Sequence, residues 1–165
     1  MSIGKFRSKT NERPRVFEGT FLARYIFASK FIKSKEVLDL GTGLGNGAYY
    51  LSQKGAKYIL AIDYSAITIK EAKKKFILPN LEFKTMNALN ISSLKKSFDV
   101  ITAFELIEHL PINSYSSFLN QIKKTLAPNG ICFISTPNKL ISSPHQKNLK
   151  ILITKKNLPQ KNFPN

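Results

Sequence analysis

The chain has 165 residues, 42% hydrophobic and 22% charged, which is the composition of one soluble globular domain large enough to bury a core. A single cysteine, Cys132, lies in the apolar run Ile131-Cys132-Phe133-Ile134, which excludes a disulfide framework within one chain and points to a buried structural thiol. No apolar run reaches the length of a membrane span and no signal-peptide core is present, so the expected location is cytoplasmic.

The formal net charge of +16 raises the question of a nucleic-acid partner. Its distribution argues otherwise. Residues 1–35 hold nine basic and two acidic side chains, residues 36–136 eleven and eight, and residues 137–165 six and none. The excess therefore lies in the flanks. Four arginines among 26 basic residues leave lysine dominant, and lysine is the poorer fork for phosphate. Nucleic acid is a possible partner but not the favoured one, and nonspecific attraction to polyanions is expected at low salt.

Residues 1–14 read as a mobile basic N-terminus. Apolar residues then recur at Phe17, Phe21, Tyr25, Ala28 and Ile32, which is helical spacing. The stretch Val37-Leu38-Asp39-Leu40-Gly41-Thr42-Gly43-Leu44-Gly45-Asn46-Gly47 organises everything that follows. It reads as a buried strand, then a turn with glycine at alternate positions, then a helix from Ala48. Such a turn lets the backbone adopt positive φ and lets a ligand approach closely. Gly43 to Ala48 can be fitted to a dinucleotide G-x-G-x-x-A fingerprint, but Asp39 at the mouth of the turn would repel a pyrophosphate and suits a cationic ligand.

Lys57 to Asp63 reads as a second buried strand ending in a carboxylate about 20 positions past the glycine turn, where a ribose diol is bound in doubly wound folds. Tyr64 follows and can lie against an adenine. Ser65 caps a helix through Phe76, its lysines forming a solvated face. Leu81–Thr85 is a third strand and Phe98–Phe104 a fourth. A helix carrying Tyr115, Phe118, Leu119, Ile122 and Leu126 leads through the turn Leu126–Gly130 into a fifth strand, Ile131 to Ser135. Strands alternating with helices predict a parallel α/β sheet.

The order Asp39-x-Gly41-x-Gly43-x-Gly45, Asp63, Asn87-Ala88, Phe98-Asp99-Val100, Glu105-Leu106-Ile107-Glu108-His109-Leu110, Leu126 to Gly130 and Ser135-Thr136-Pro137-Asn138 resembles the class I S-adenosylmethionine-dependent methyltransferases over residues 15–138. It looks most like the branch containing quinone-pathway O-methyltransferases. The resemblance implies a Rossmann-like, mostly parallel sheet of about five strands in the order 3-2-1-4-5. It implies S-adenosyl-L-methionine as cofactor, a ligand with both an ammonium and a sulfonium. The cofactor site it implies comprises Asp39, Leu40, Gly41, Thr42, Gly43, Gly45, Asp63, Tyr64, Asn87, Ala88 and Phe104. Asn87 stands where the family usually has an aspartate. The leading helix around Arg24–Ala28 resembles one that closes over the cofactor in that family. The expected reaction is methyl transfer to a small-molecule acceptor, O-methylation favoured.

Glu105, Glu108 and His109 stand at i, i+3 and i+4, so one helical turn would put all three on one face. Three readings are open: His109, with Glu105, as the catalytic pair with a general base for a hydroxyl acceptor; the trio as ligands for Mg²⁺ or Mn²⁺; or hydrogen bonds that merely hold the loop. The metal reading resembles the small-RNA 3′-terminal 2′-O-methyltransferases, with His145 offered as a further ligand from surroundings that do not match theirs. Finally, residues 139–165 read as an atypical basic tail, too short for the helix and two strands with which the resembling proteins continue. The expectation is a truncated domain with strand five as an exposed edge prone to self-association, and with it a non-catalytic remnant or a subunit completed by a partner.

Overall fold

The computed structural model describes the backbone of residues 16–136 and 150–155 and the side chains of residues 22–136. The basic N-terminus 1–14, the side chains of Phe17 and Phe21, Pro137, Asn138, His145 and the tail outside 150–155 lie outside the described residues.

The chain runs α1 (Val16–Ala28), β1 (Glu36–Leu40), α2 (Asn46–Gln53), β2 (Tyr58–Asp63), α3 (Ala66–Lys75), β3 (Leu81–Thr85), β4 (Phe98–Phe104), α4 (Tyr115–Thr125), β5 (Leu126–Thr136) and β6 (Lys150–Lys155), with short 3₁₀ turns between. Six strands form one sheet in the order β3-β2-β1-β4-β5-β6. The first five are parallel, as expected of a Rossmann-like fold. Both faces are covered, which is why β1, β2 and β4 read as near-continuous apolar runs rather than as alternation. Val37, Ile59, Ala61, Val100 and Phe133 pack under α1, α2 and α3. Leu38, Leu40, Ile62, Ile101 and Cys132 pack under α4 and the 3₁₀ segment Ala88–Leu94. Ser65 caps α3, accepting from the Thr68 N–H at 3.2 Å.

Two expectations need correction. The turn Leu126–Gly130 is not separate from strand five. β5 starts at Leu126 opposite Phe98, and the pairing shifts register before Val100 meets Ile131. Pro128 has no N–H to give and Asn129 adopts φ 61°, so the segment bulges without leaving the sheet. Nor is strand five an exposed edge. β6 pairs with it antiparallel from Ile131↔Lys155 to Thr136↔Lys150. The run Ile151-Leu152-Ile153 supplies the β-branched and apolar residues that such a strand favours, and its backbone satisfies the N–H and C=O groups of β5. Self-association through the edge of strand five therefore loses its structural basis.

Candidate active site

The carboxyl ends of β1, β2 and β4 meet where the strand order reverses around β1, which is where open α/β sheets bind ligands. β1 ends at Leu40, and Gly41, Gly43 and Gly45 follow at φ 71°, 54° and 79°. These positive values fold the loop back so that the Gly41 and Thr42 N–H groups both donate to the Ile62 carbonyl, at 2.9 and 3.0 Å. A side chain at Gly41 would touch Leu106, and one at Gly45 would meet Phe83 at 2.6 Å. At Gly43 nothing lies within 4 Å. Gly43 is thus the open member of the turn.

Asp63, at the end of β2, sits directly against it. One carboxylate oxygen accepts the Gly43 N–H at 2.9 Å and the other accepts the Ser65 N–H at 2.9 Å. Each oxygen keeps a lone pair for a further donor. Tyr64 beside it is 80% exposed. Asn87 is exposed, and its side-chain oxygen accepts the Leu89 N–H at 2.8 Å, capping the 3₁₀ segment, so its NH₂ is the group left to meet a ligand. Leu40, Ala88 and Phe104 are core side chains, so a ligand could meet them only through backbone. The Thr42 hydroxyl is buried.

Asp39 is placed differently from the sequence expectation. It is not at the mouth of the turn but 0% exposed inside the sheet. The Thr102 hydroxyl donates to its Oδ1 at 2.6 Å, and the Tyr25 hydroxyl reaches the two oxygens at 3.1 and 3.3 Å. Burial pushes the Asp39 carboxyl up to about 6, against the lowering effect of these hydroxyls. Burial, with Asp39 beside it, pushes the Tyr25 phenol well above its ordinary range, so it remains a donor. The Tyr25 ring lies on Gly47 and packs edge-to-face on Phe104 at 5.0 Å. A cationic ligand therefore cannot touch Asp39 in this arrangement.

The expected face of Glu105, Glu108 and His109 does not form. Glu105 leaves β4 with φ 53°, and the 3₁₀ turn begins only at Ile107. The left-handed residue breaks the helical spacing and turns Glu105 toward α1. Its Oε1 takes Arg24 Nη2 at 2.9 Å and the Ser135 hydroxyl at 3.1 Å. Glu108 buries one oxygen that has no partner among the described residues, while His109 is exposed. No three His, Cys, Asp or Glu side chains come together as a metal site among the described residues. Glu105 is thus a tether for the leading helix, and His109 stays at the surface.

Two adjacent residues of α1, Arg24 and Tyr25, therefore pin that helix over the carboxyl ends of β1, β4 and β5. The sequence signal for this was a polar side chain inside an apolar strand: Thr102 in β4 and Ser135 in β5, each of which needs a partner when buried. Arg24→Ala should destabilise the fold by about 1–3 kcal/mol, below the cost of breaking a fully buried pair because Glu105 is partly exposed. Denaturant melts with and without Glu105→Gln measure it, and additive losses would show that the two side chains do not act together.

The model of a methyltransferase domain matches residues 12–155. The chain belongs to the S-adenosylmethionine-dependent methyltransferase family. It is 32% identical over 148 residues to the ubiquinone biosynthesis O-methyltransferase of Pelagibacter ubique, covering 85% of this chain and 60% of that protein. It is 29% identical over 119 residues to the enzyme of the same name from Neisseria meningitidis, covering 70% and 49%. Among solved structures, the plantazolicin methyltransferase BamL, in complex with a triazolic desmethylPZN analogue and SAH, superposes with a TM-score of 0.58 at 30% identity, covering 74% of this chain and 45% of that one. The chain spans about half the length of the curated relatives it matches.

Proposed function

We propose that this chain binds S-adenosylmethionine at the glycine turn and transfers its methyl group to a small-molecule acceptor, through oxygen. The observation that carries the reading is the open Gly43 turn set against the Asp63 carboxylate at the strand-order reversal. The cradle fits an adenosyl ligand: Gly43 leaves room for close approach, and Asp63 offers lone pairs to a ribose diol. The cofactor would supply an electrophilic methyl on sulfonium. Asp63, Tyr64 and the Asn87 amide would hold the adenosyl end, and Asp39 would hold the turn's supporting strand rather than the ligand. His109, exposed beside the end of β4, would accept the acceptor's proton. The preference for oxygen rests on the printed names of the ubiquinone-pathway relatives.

Thermal stabilisation separates this from hydride chemistry. S-adenosylmethionine or its demethylated product, at about 100 times Kd, should add about 2.7 kcal/mol of stability, and NAD none. Asp63→Ala should weaken cofactor affinity by about 1–3 kcal/mol. Stabilisation by NAD alone would overturn the assignment.

A further inference from the structure

The parallel order brings the starts of β1 to β5 to one edge, opposite the edge that carries Asp63, Glu105 and Glu108. Exposed lysines crowd those starts: Lys35 before β1, Lys57 before β2, Lys95 and Lys96 before β4, and Lys123 and Lys124 before β5. Neighbouring strands lie about 4.8 Å apart, so β2, β1, β4 and β5 set these charges in a row roughly 15 Å wide. The carboxylates there are engaged. Glu36 is held by Lys57 at 3.2 Å and Lys96 at 2.9 Å, Asp99 accepts the Glu36 N–H, and Glu82 accepts the Tyr58 hydroxyl. At the ligand edge, by contrast, Asp63, Glu105 and Glu108 stand with Lys84 and with Arg24, which Glu105 holds at 2.9 Å. The domain is polarised end to end.

We infer that the strand-start edge is a docking surface for an anionic lipid bilayer, its lysines among the headgroups and Ile77 entering the interface. Ile77 is 87% exposed in the connection from α3 to β3, which places it on this edge. An apolar side chain projecting from a lysine field suits the boundary between headgroup and hydrocarbon, and gives a nucleic acid nothing to bind. The charges are compact ammonium groups. Among the described side chains the one arginine, Arg24, is buried at the other edge, so no planar fork is available here for a phosphodiester. The Tyr58 ring, which could stack a base, is covered by Lys96 at 4.2 Å. Docked this way, the domain turns its ligand edge away from the bilayer, so the inference stands apart from the methyl-transfer reading.

Co-sedimentation tests it, using vesicles of equal parts phosphatidylcholine and phosphatidylglycerol against vesicles of phosphatidylcholine alone, at about 0.05 and 0.5 M salt. The whole chain should bind the anionic vesicles at low salt and leave the neutral ones. Reversing Lys35 and Lys124 to Glu together should weaken that binding at least roughly a hundredfold, while reversing Lys70 and Lys84 should cost far less. Ile77→Asp, a single change at an exposed site, should weaken vesicle binding about tenfold and leave binding of a single-stranded RNA homopolymer unchanged. Equal losses from the two double variants, vesicle binding indifferent to Ile77→Asp, or no binding to anionic vesicles at low salt would each overturn the inference.

Discussion

Gly45→Ala should cost about 2–5 kcal/mol of folding stability, the sum of left-handed backbone strain and core overpacking. The position holds φ 79° and ψ 5° as the residue before α2. A Cβ there would stand 2.6 Å from Phe83 Cε1 and 3.2 Å from Ala72 Cβ. Phe83 cannot give way cheaply, being buried in the sheet and stacked near Phe76. Gly43→Ala provides the contrast. It carries similar backbone strain, at φ 54°, but meets no neighbour within 4 Å. It should cost about 1–2 kcal/mol in stability, with its larger effect on cofactor affinity because the new methyl enters the open face. Chemical denaturation and ligand titration of both variants separate the roles. Equal stability losses would mean that Phe83 does not constrain the turn.

The second large effect is a dependence on pH. In an unfolded chain the Asp39 carboxyl titrates near 3.8, whereas in the fold burial raises it to about 6. Below about pH 4 both states hold the proton and there is no penalty. Between about 4 and 6 only the folded state holds it, so stability falls as pH rises, and above 6 the full cost of about 3 kcal/mol stands. Asp39→Asn carries no charge, and its side-chain oxygen can still accept from Tyr25 and Thr102. At pH 4 the variant should be the less stable protein by about 1–3 kcal/mol, for an NH₂ group without a partner. By pH 7.5 the gap should close or reverse. Parallel stability curves for the two proteins between pH 4 and 7.5 would show that Asp39 is not desolvated as the structure has it.

The elements were legible because burial on both faces leaves apolar runs that composition alone reveals. Phe98–Phe104 and Leu81–Thr85 fall where the sequence put them, and the glycine turn falls between a strand and a helix as its residues demand. The sheet order was carried by the resemblance, and β6 falls in the stretch that reads only as an atypical basic tail. What pattern could not show was where single polar groups find partners. Asp39 looked like a ligand's counterion because nothing local reveals that Tyr25, 14 positions earlier, seals it. Glu105 looked like the first residue of a helical trio because spacing is counted as though φ stayed negative. A single left-handed residue cancels that count and hands the carboxylate to Arg24.

The central place of β1 sets the tempo of folding. Asp39 is bonded by a residue 63 positions further along, and β1 gains its second neighbour only when β4 is available. On a ribosome adding about 10 residues per second, β1 waits roughly six seconds for that neighbour. Through that interval one long side of an apolar strand, with an acid in its middle, has no lasting partner. Little of the sheet can be banked piecemeal, since the β1–β4 pairing must close a long loop before its contacts repay the entropy. Refolding should thus be governed by that one closure, and nascent chains stopped short of β4 should be clients for chaperones.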